Sequence, residues 1–273
     1  MVIPVREDLP LRRPPLVTGA LLAVNVLVFA VGPASGLAPP HGSAQQRDCA
    51  QQRYAERWGA VPAELLGNRP LPPAALPAPV PGSPRCPDVA APGKVPALSA
   101  LSSLFVHGGW LHLLGNLLFL AVFGGGVEER LGRLRFLALY LGVGCLATYG
   151  YALAEAHTAE AVRPLIGASG AIAGVLGGCL RLFPRARVTA LVPLLLFLPL
   201  RFPAWLVLGF WFGTQGWLAR SAGQAGPGVA YLVHVVGFAL GFLAAWALYG
   251  RRRGAGPPVR AAGARRESDP DPV

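Results

Sequence analysis

The chain has 273 residues and a net charge of +11, yet charged residues make up only 14% of it and hydrophobic residues 53%. A soluble domain has about a quarter of its residues charged, and the mean hydropathy here is +0.48. This composition excludes an ordinary soluble enzyme and indicates a polytopic membrane protein. The basic residues lie in short clusters beside apolar runs, which argues against a nucleic-acid partner.

Six apolar runs are predicted to cross the lipid bilayer. They are Leu16–Val31, Ser99–Gly125, Leu134–Ala154, Leu165–Phe183, Pro203–Leu218 and Val229–Tyr249. The first run follows a charged start without a small-residue cleavage site, so we interpret it as an anchor rather than a cleaved signal peptide. The predicted fold is all-α, with a six-helix membrane domain over residues 16–250.

The distribution of lysine and arginine predicts the orientation. Most of these residues lie in residues 1–15, in the loops after spans two and four, and in the tail 251–273, which is expected to be disordered. By the positive-inside rule both termini are cytoplasmic, and the composition favours a bacterial cell membrane. The apolar run Val188–Leu200 is too short to cross, so we expect it to dip into the cytoplasmic face.

The loop 32–98 is long, rich in proline and predicted to be external. Within it, Tyr54–Leu66 is amphipathic and indicates an interfacial segment, whereas 72–84 is expected to be irregular and extended. Cys49 and Cys86 both lie in this loop, which predicts a disulfide between them in an oxidising compartment. No spacing in the chain resembles a metal site, and no cofactor is expected.

Polar side chains at membrane depth are costly and therefore informative. Ser169 and His234 fall a few residues inside spans four and six at the external side, and we place His112 of span two at the same external depth. Asn116 lies four residues after His112, on the same helix face. Because these side chains share one depth, the sequence predicts one shared site.

The glycines of spans four and six favour close helix packing. Gly170 on span four, and Gly237 and Gly241 on span six, belong to small-residue stripes that allow two helices to approach. Gly167 and Gly170 also remove bulk around Ser169. We therefore interpret Ser169 as a nucleophile, because a serine hydroxyl becomes reactive when a neighbouring base takes its proton.

The general base in this hypothesis is His234. Backbone N–H groups at the start of span four, together with His112 and Asn116, are candidate donors to an oxyanion. No aspartate or glutamate lies inside a predicted span. The pattern therefore favours a Ser–His dyad over a triad.

The motifs "HGGWLHLLGN", "GGGVEERLG", "GASGAIAG" and "HVVGFALG" resemble those of the rhomboid family of intramembrane serine proteases, over about 98–249. The resemblance implies a six-helix core, a Ser169–His234 dyad, and oxyanion donors from His112, Asn116 and the Ser169 backbone. It also implies that Glu128 and Arg130 hold the turn after span two. The implied activity is endopeptidase cleavage of single-span membrane proteins near the external surface, within the bilayer.

Two positions depart from the family pattern. Val233 precedes the base where alanine is common, and Ala173 stands where some members stack an aromatic ring on the base. The second departure requires another side chain to fill that space. Nothing in the sequence specifies the natural substrate or the oligomeric state.

Other interpretations stay open at this stage. A serine in a glycine-rich helix is often a packing residue, and a non-catalytic rhomboid-like binding protein or a transporter using His112 and His234 are the rival functions. Span five, which is rich in tryptophan and phenylalanine, is either a lipid-facing gate or a set of interfacial anchors. The loop Ser221–Gly228 is correspondingly either a lid or a short connection.

Overall fold

A computed structural model describes residues 3–9, 11–37, 43–76, 86, 91, 93–192, 198–221 and 230–250. The elements in chain order are β1 (Ile3–Glu7), α1 (Leu16–Val31), α2 (Ala44–Trp58), α3 (Pro62–Gly67), α4 (Pro96–Ser102), α5 (Trp110–Leu131), α6 (Arg133–Ala154), α7 (Ser169–Leu182), β2 (Arg187–Val192), β3 (Leu198–Pro203), α8 (Ala204–Ser221) and α9 (Tyr231–Gly250). Short 3₁₀ turns also form, at Pro33–Ser35, Pro73–Ala75, Ser103–Phe105 and Ala159–Val162.

Helices stand at all six places where spans were predicted. Three of them, among the residues described, are long and apolar enough to cross a bilayer: α5, α6 and α9 over Tyr231–Tyr249. α1 and α7 are apolar but shorter, with 16 and 14 residues. At 1.5 Å per residue α7 is about 21 Å long, less than the thickness of a hydrocarbon core. The count of six spans therefore stays a prediction.

α7 lies at the centre of the bundle, where it contacts α5, α6, α8 and α9. Its residues from Gly170 to Cys179 are all buried. A Cβ atom on Gly237 would collide with the carbonyl oxygen of Gly170, and one on Gly241 would collide with that of Gly174. The backbones of α7 and α9 thus touch directly, and only glycine at these positions allows that separation.

The predicted second span, Ser99–Gly125, begins too early. Residues Ser99–Phe105 belong to α4 and the following 3₁₀ turn, and the next helix, α5, begins at Trp110. The chain is fully extended at Gly109, with φ 170° and ψ 171°, and two adjacent glycines make helix continuation unfavourable. His112 consequently lies in the first turn of α5 rather than in the body of a longer helix.

The C-terminal end of α5 is tied to α1 and α9. The buried Glu128 carboxylate accepts hydrogen bonds of 2.7–3.0 Å from the backbone N–H groups of Val17 and Thr18 and from the Thr18 hydroxyl. It therefore satisfies donors at the start of α1. The Arg130 guanidinium lies 4.3 Å from the ring centre of Tyr249. These side-chain contacts join α5 to other helices, and the role of Glu128 and Arg130 in holding the turn after span two stays a prediction.

A small sheet corrects the all-α prediction. β1, β2 and β3 form an antiparallel sheet in that order, and Val188 in the central strand pairs with Glu7 on one side and Phe202 on the other. The fold is therefore mostly helical with one sheet at the end where α7 finishes and α8 begins. The run Val188–Leu200 contributes two strands, while 193–197 lie outside the described residues. Its dip into the membrane face stays a prediction.

The described residues between α1 and α4 pack against the helical bundle and against one another. α3 packs on α4 and α6, and the disulfide predicted between Cys49 and Cys86 is present, with Cα atoms 5.4 Å apart. The buried Lys94 ammonium pairs with the Glu64 carboxylate at 2.5 Å and donates to the Glu56 carbonyl at 2.6 Å. These contacts give order to a segment that has few apolar residues.

Several predictions on loops remain untested. Tyr54–Leu66 covers the end of α2 and α3, and its position at a membrane interface stays a prediction. Within 72–84 only the 3₁₀ turn and its neighbours are described. The residues 222–229 and the tail 251–273 lie outside the described residues.

Candidate active site

Ser169 is the first residue of α7, and the turn before it is shaped by glycine. Gly167 has φ +120°, in the region that side chains disfavour, and its N–H donates to the Ser103 carbonyl at 2.9 Å. As the helix starts at Ser169, the first backbone N–H groups of α7 have no acceptor within the helix. The serine hydroxyl is therefore presented beside several unpaired donors.

His234 lies in the first turn of α9, directly across from Ser169. The distance between His234 Nε2 and Ser169 Oγ is 2.8 Å. The close packing of α7 on α9 through Gly170 and Gly237 produces this contact, since each glycine lies within three residues of the polar side chain on its helix. Sequence reasoning predicted both residues and their shared depth, and the structure brings them together.

Gln215 on α8 contacts the other side of the imidazole. Its side-chain oxygen lies 2.7 Å from His234 Nδ1, and the glutamine is buried. An amide oxygen only accepts hydrogen bonds, so in this arrangement Nδ1 carries the proton and Nε2 presents its lone pair to the Ser169 hydroxyl. That tautomer is the one in which a histidine can take a proton from serine.

Trp211, one turn before Gln215, is an aromatic side chain that lies beside the His234 ring. The ring centres of Trp211 and His234 are 5.9 Å apart, with an angle of 36° between the ring planes. The sequence predicted that some other side chain takes the place of the missing aromatic ring, but it did not indicate which one. In this chain the side chain comes from α8, whereas the family pattern would supply it from the helix that bears the serine.

His112 and Asn116 approach the turn at Gly167 from α5. A Cβ atom on Gly167 would lie 2.5 Å from His112 Nε2 and 3.8 Å from Asn116 Nδ2. The buried Asn116 Nδ2 has no hydrogen-bond partner. His112 Nδ1 accepts a long hydrogen bond of 3.5 Å from the Gly108 N–H, which leaves the proton on Nε2. Both side chains therefore hold N–H donors toward the space beside Ser169.

His107 packs against His112 just before α5 begins. Their ring centres are 5.1 Å apart, and His107 Nδ1 lies 3.2 Å from the Phe105 carbonyl. Burial, and secondarily the neighbouring His112, lowers the pKa of His107 to about 4. His107 is therefore neutral near pH 7 and supports the His112 ring without adding a charge.

Sequence reasoning missed Gln215 and the role of Trp211. A signal for Gln215 was present, because an uncharged amide within an apolar helix is costly unless it has a partner. The aromatic residues around it instead suggested a helix that faces lipid. Nothing local to α8 indicates that Gln215 points toward His234.

Apolar helices that enclose a hydrogen-bonded serine and histidine, with unpaired N–H donors beside them, define an integral membrane protein with a candidate hydrolytic site. A family model described as "Rhomboid domain" matches residues 97–251, more than half of the chain. The chain belongs to the rhomboid family.

Individual relatives agree with this assignment. The chain is 31% identical over 152 residues to "Rhomboid protein 1, mitochondrial" of Saccharomyces cerevisiae, covering 55% of this chain and 41% of that protein. It is 35% identical over 81 residues to YdcA of Bacillus subtilis, whose name proposes a rhomboid protease, covering 28% and 37%. A Danio rerio protein, "Presenilin-associated rhomboid-like protein A, mitochondrial", is 33% identical over 96 residues, covering 35% and 25%. The chain thus matches less than half the length of each of these relatives.

Proposed function

We propose that the chain is an intramembrane serine endopeptidase that cleaves single-span membrane proteins near the external surface of the membrane. The observation that carries this proposal is the 2.8 Å contact between Ser169 Oγ and His234 Nε2, in a partly buried setting beside unpaired donors. Membership of the rhomboid family supports the same reaction class.

In the proposed reaction Ser169 Oγ attacks the scissile carbonyl carbon while His234 Nε2 takes the hydroxyl proton. The carbonyl π electrons move to oxygen and form an oxyanion. His234 then gives its proton to the amide nitrogen as the C–N bond breaks, which leaves an acyl group on Ser169. A water that loses a proton to His234 attacks this ester, and the imidazolium returns the proton to Ser169 as the product acid leaves.

The oxyanion in this mechanism is stabilised by donors that exist before substrate binds. We assign this role to Asn116 Nδ2, His112 Nε2 and the backbone N–H groups at the start of α7. Gly167 supports the assignment, because the absence of a Cβ leaves room between these donors and Ser169. Donors fixed in a site of low polarity contribute more than donors in water.

The substrate must reach the site in a locally extended form. A transmembrane helix satisfies its own backbone groups, so its carbonyls are not free to enter an oxyanion site. Residues that weaken a helix near the cut should therefore favour cleavage. Ser169 begins α7 and His234 lies in the first turn of α9. The cut is therefore expected near the membrane surface rather than at the centre of the bilayer.

A serine-reactive fluorophosphonate probe tests the proposal together with cleavage of single-span substrates. We expect wild-type protein to label and to cleave, and Ser169→Ala to do neither. Ser99→Ala is the matched control, because Ser99 is also a buried serine but its hydroxyl donates to the Pro96 carbonyl. A Ser169→Ala protein that cleaves at the wild-type rate would exclude the protease function.

The proposed orientation places both termini in the cytoplasm and the loop 32–98 outside. Single cysteines introduced at Arg133 and Arg69 should then react with a membrane-impermeant reagent from opposite sides. Reaction of both from the same side would overturn this orientation. A bacterial cell membrane stays a prediction, since two of the relatives carry "mitochondrial" in their names.

A further inference from the structure

We propose that Gln215 is a positioning residue that sets the tautomer and orientation of His234, so that the catalytic base depends on α8. The proposal rests on the proposed function, because a general base is needed only if Ser169 acts as a nucleophile. Among the residues described, the polar atoms bonded to the His234 ring are Ser169 Oγ and Gln215 Oε1. Gln215 is thus the group on the far side of the ring from the reacting hydroxyl.

The chemistry of the contact determines which ring nitrogen is basic. With the Gln215 oxygen facing Nδ1, the imidazole proton resides on Nδ1 and Nε2 is free to accept the serine proton. With the amide reversed, its N–H would donate to Nδ1, the imidazole proton would move to Nε2, and the ring would donate to Ser169. A histidine in that second state cannot take the proton of the nucleophile.

The contact also continues to act once the proton has moved. When His234 becomes an imidazolium, its Nδ1–H remains hydrogen-bonded to the Gln215 oxygen, and the amide itself is unchanged. In a serine–histidine–acid triad a carboxylate occupies this position. Here a neutral amide fills it, consistent with the lack of an acidic residue near His234 among the described contacts.

Two different interfaces hold His234. Its backbone position follows from the glycine contacts between α7 and α9, which do not involve α8. Its ring is contacted by Trp211 and Gln215 of α8, and also by the edge of Tyr231 from α9 itself, so α8 supplies the stacking ring and the polar partner of Nδ1. A displacement of α8 would therefore leave the backbone positions of Ser169 and His234 unchanged. It would remove the hydrogen bond at Nδ1 that orients the imidazole.

α8 is held to the bundle less extensively than α7 is. The buried residues of α8 are Ala204, Leu208 and Gln215. Its outer face carries exposed aromatic side chains, with Trp205 55%, Phe210 59% and Trp217 68% exposed. Of the three buried residues, Gln215 is the one near the predicted external end of α8. Its contact with His234 therefore couples the packing of that end of α8 to the tautomer and orientation of the imidazole.

Replacement of Gln215 by methionine and by glutamate separates this role from packing. Gln215→Met keeps the volume but has no strong acceptor, so turnover should fall about 10- to 100-fold, the loss seen when the partner orienting a metal-bound histidine is removed. KM should change little, since substrate does not contact Gln215 in this proposal. Gln215→Glu keeps an acceptor and should retain most of the turnover.

A packing role predicts the opposite order, since methionine would be tolerated and a buried carboxylate would be harmful. Thr214→Val is the matched control, because the Thr214 hydroxyl donates to the Trp211 carbonyl within its own helix. It should leave turnover and probe labelling unchanged.

Nitrogen-15 NMR of histidine-labelled wild-type protein gives a second test that needs no substitution at Gln215. The His234 signals, assigned by their loss in His234→Ala, should report a proton on Nδ1 and none on Nε2. A proton on Nε2, or undiminished turnover in Gln215→Met, would overturn the positioning role. Undiminished turnover in Gln215→Met would leave the proposed function intact, whereas cleavage by Ser169→Ala would remove both.

Discussion

At the scale of single residues, Gly167 defines the space in which the reaction is proposed to occur. Its φ of +120° and its proximity to His112 Nε2 exclude a side chain, so the backbone of the turn approaches α5 directly. The unpaired Asn116 Nδ2 faces the same space. A buried donor without an acceptor is unfavourable unless a ligand supplies the acceptor. The developing oxyanion of a substrate would do so.

Removal of these donors is expected to slow turnover without preventing it. Asn116→Ala and His112→Ala should each lower kcat by about 10²–10³-fold, because each removes one oxyanion donor while others remain. Thermal stability should change little for Asn116→Ala, since the lost amide has no hydrogen-bond partner at Nδ2. Steady-state kinetics with a cleavable single-span substrate gives the measurement.

Leu111→Ala provides the control on the same helical turn, since Leu111 is 87% exposed and faces away from the site. It should retain wild-type turnover. Wild-type kcat in Asn116→Ala would mean that Asn116 has no part in oxyanion stabilisation.

The candidate site could be predicted from the sequence to the extent that polar residues stand out in apolar helices. Ser169, His234, His112 and Asn116 are visible in this way, and the family motifs align them. Gln215 belongs to the same category of residue, but its role depends on how α8 rotates against α9. That rotation is set by packing between distant segments, so no local pattern contains it.

At the scale of elements, the pairing of α7 with α9 sets the distance between serine and histidine. Gly241 is critical to it, because a Cβ there would collide with the Gly174 carbonyl. Gly241→Ala should push the helices apart, lower the melting temperature and reduce turnover strongly. The loss of turnover should exceed the fraction of protein that unfolds, since the contact between Ser169 and His234 tolerates little added distance.

Gly142→Ala on α6 is the matched control for that substitution, because no atom lies within 4 Å of the added Cβ. Alanine favours the helix over glycine by up to about 1 kcal/mol, so the control should be neutral or slightly stabilising. If both variants melt and turn over alike, close packing at Gly241 does not position the site.

Two features of the fold were predicted incorrectly from the sequence, one determined by a local pair of glycines and the other by contacts between distant segments. Hydropathy located helices for all six predicted spans, because an apolar run predicts burial whatever surrounds it. It did not identify the break before Trp110, where two glycines interrupt an otherwise continuous run. It also missed the sheet, because β1 is only five residues long and pairs with a strand more than 180 residues later.

At the scale of the whole molecule, the two ends of the bundle each hold a carboxyl group with a raised pKa, Glu56, which is buried, and Glu7, which is half-buried. At the end that carries the candidate site, burial raises the pKa of Glu56 to about 7, with Lys94 opposing and Glu64 adding to the shift. At the other end, burial raises the pKa of Glu7 to about 7, partly offset by a hydrogen bond from Cys179. Both groups make folding depend on pH in the same direction.

The sign of that dependence follows from proton binding. In the unfolded chain a glutamate releases its proton near its ordinary pKa of 4.5, whereas folded Glu56 keeps its proton until about pH 7. Between these values the folded state binds more protons, so the free energy of unfolding falls as pH rises and levels off above about pH 7. Protein in detergent should therefore melt at a lower temperature at pH 8 than at pH 5.

Glu56→Gln tests this assignment, because glutamine keeps a polar group of similar size but does not titrate. The fall in melting temperature between pH 5 and pH 8 should become smaller than in the parent, though Glu7 should preserve part of it. Asp48→Asn is the matched control, since Asp48 is an exposed carboxylate on the same helix, α2. It should leave the dependence unchanged. An equal fall in Glu56→Gln and the parent would mean that Glu56 ionises without cost in the folded protein.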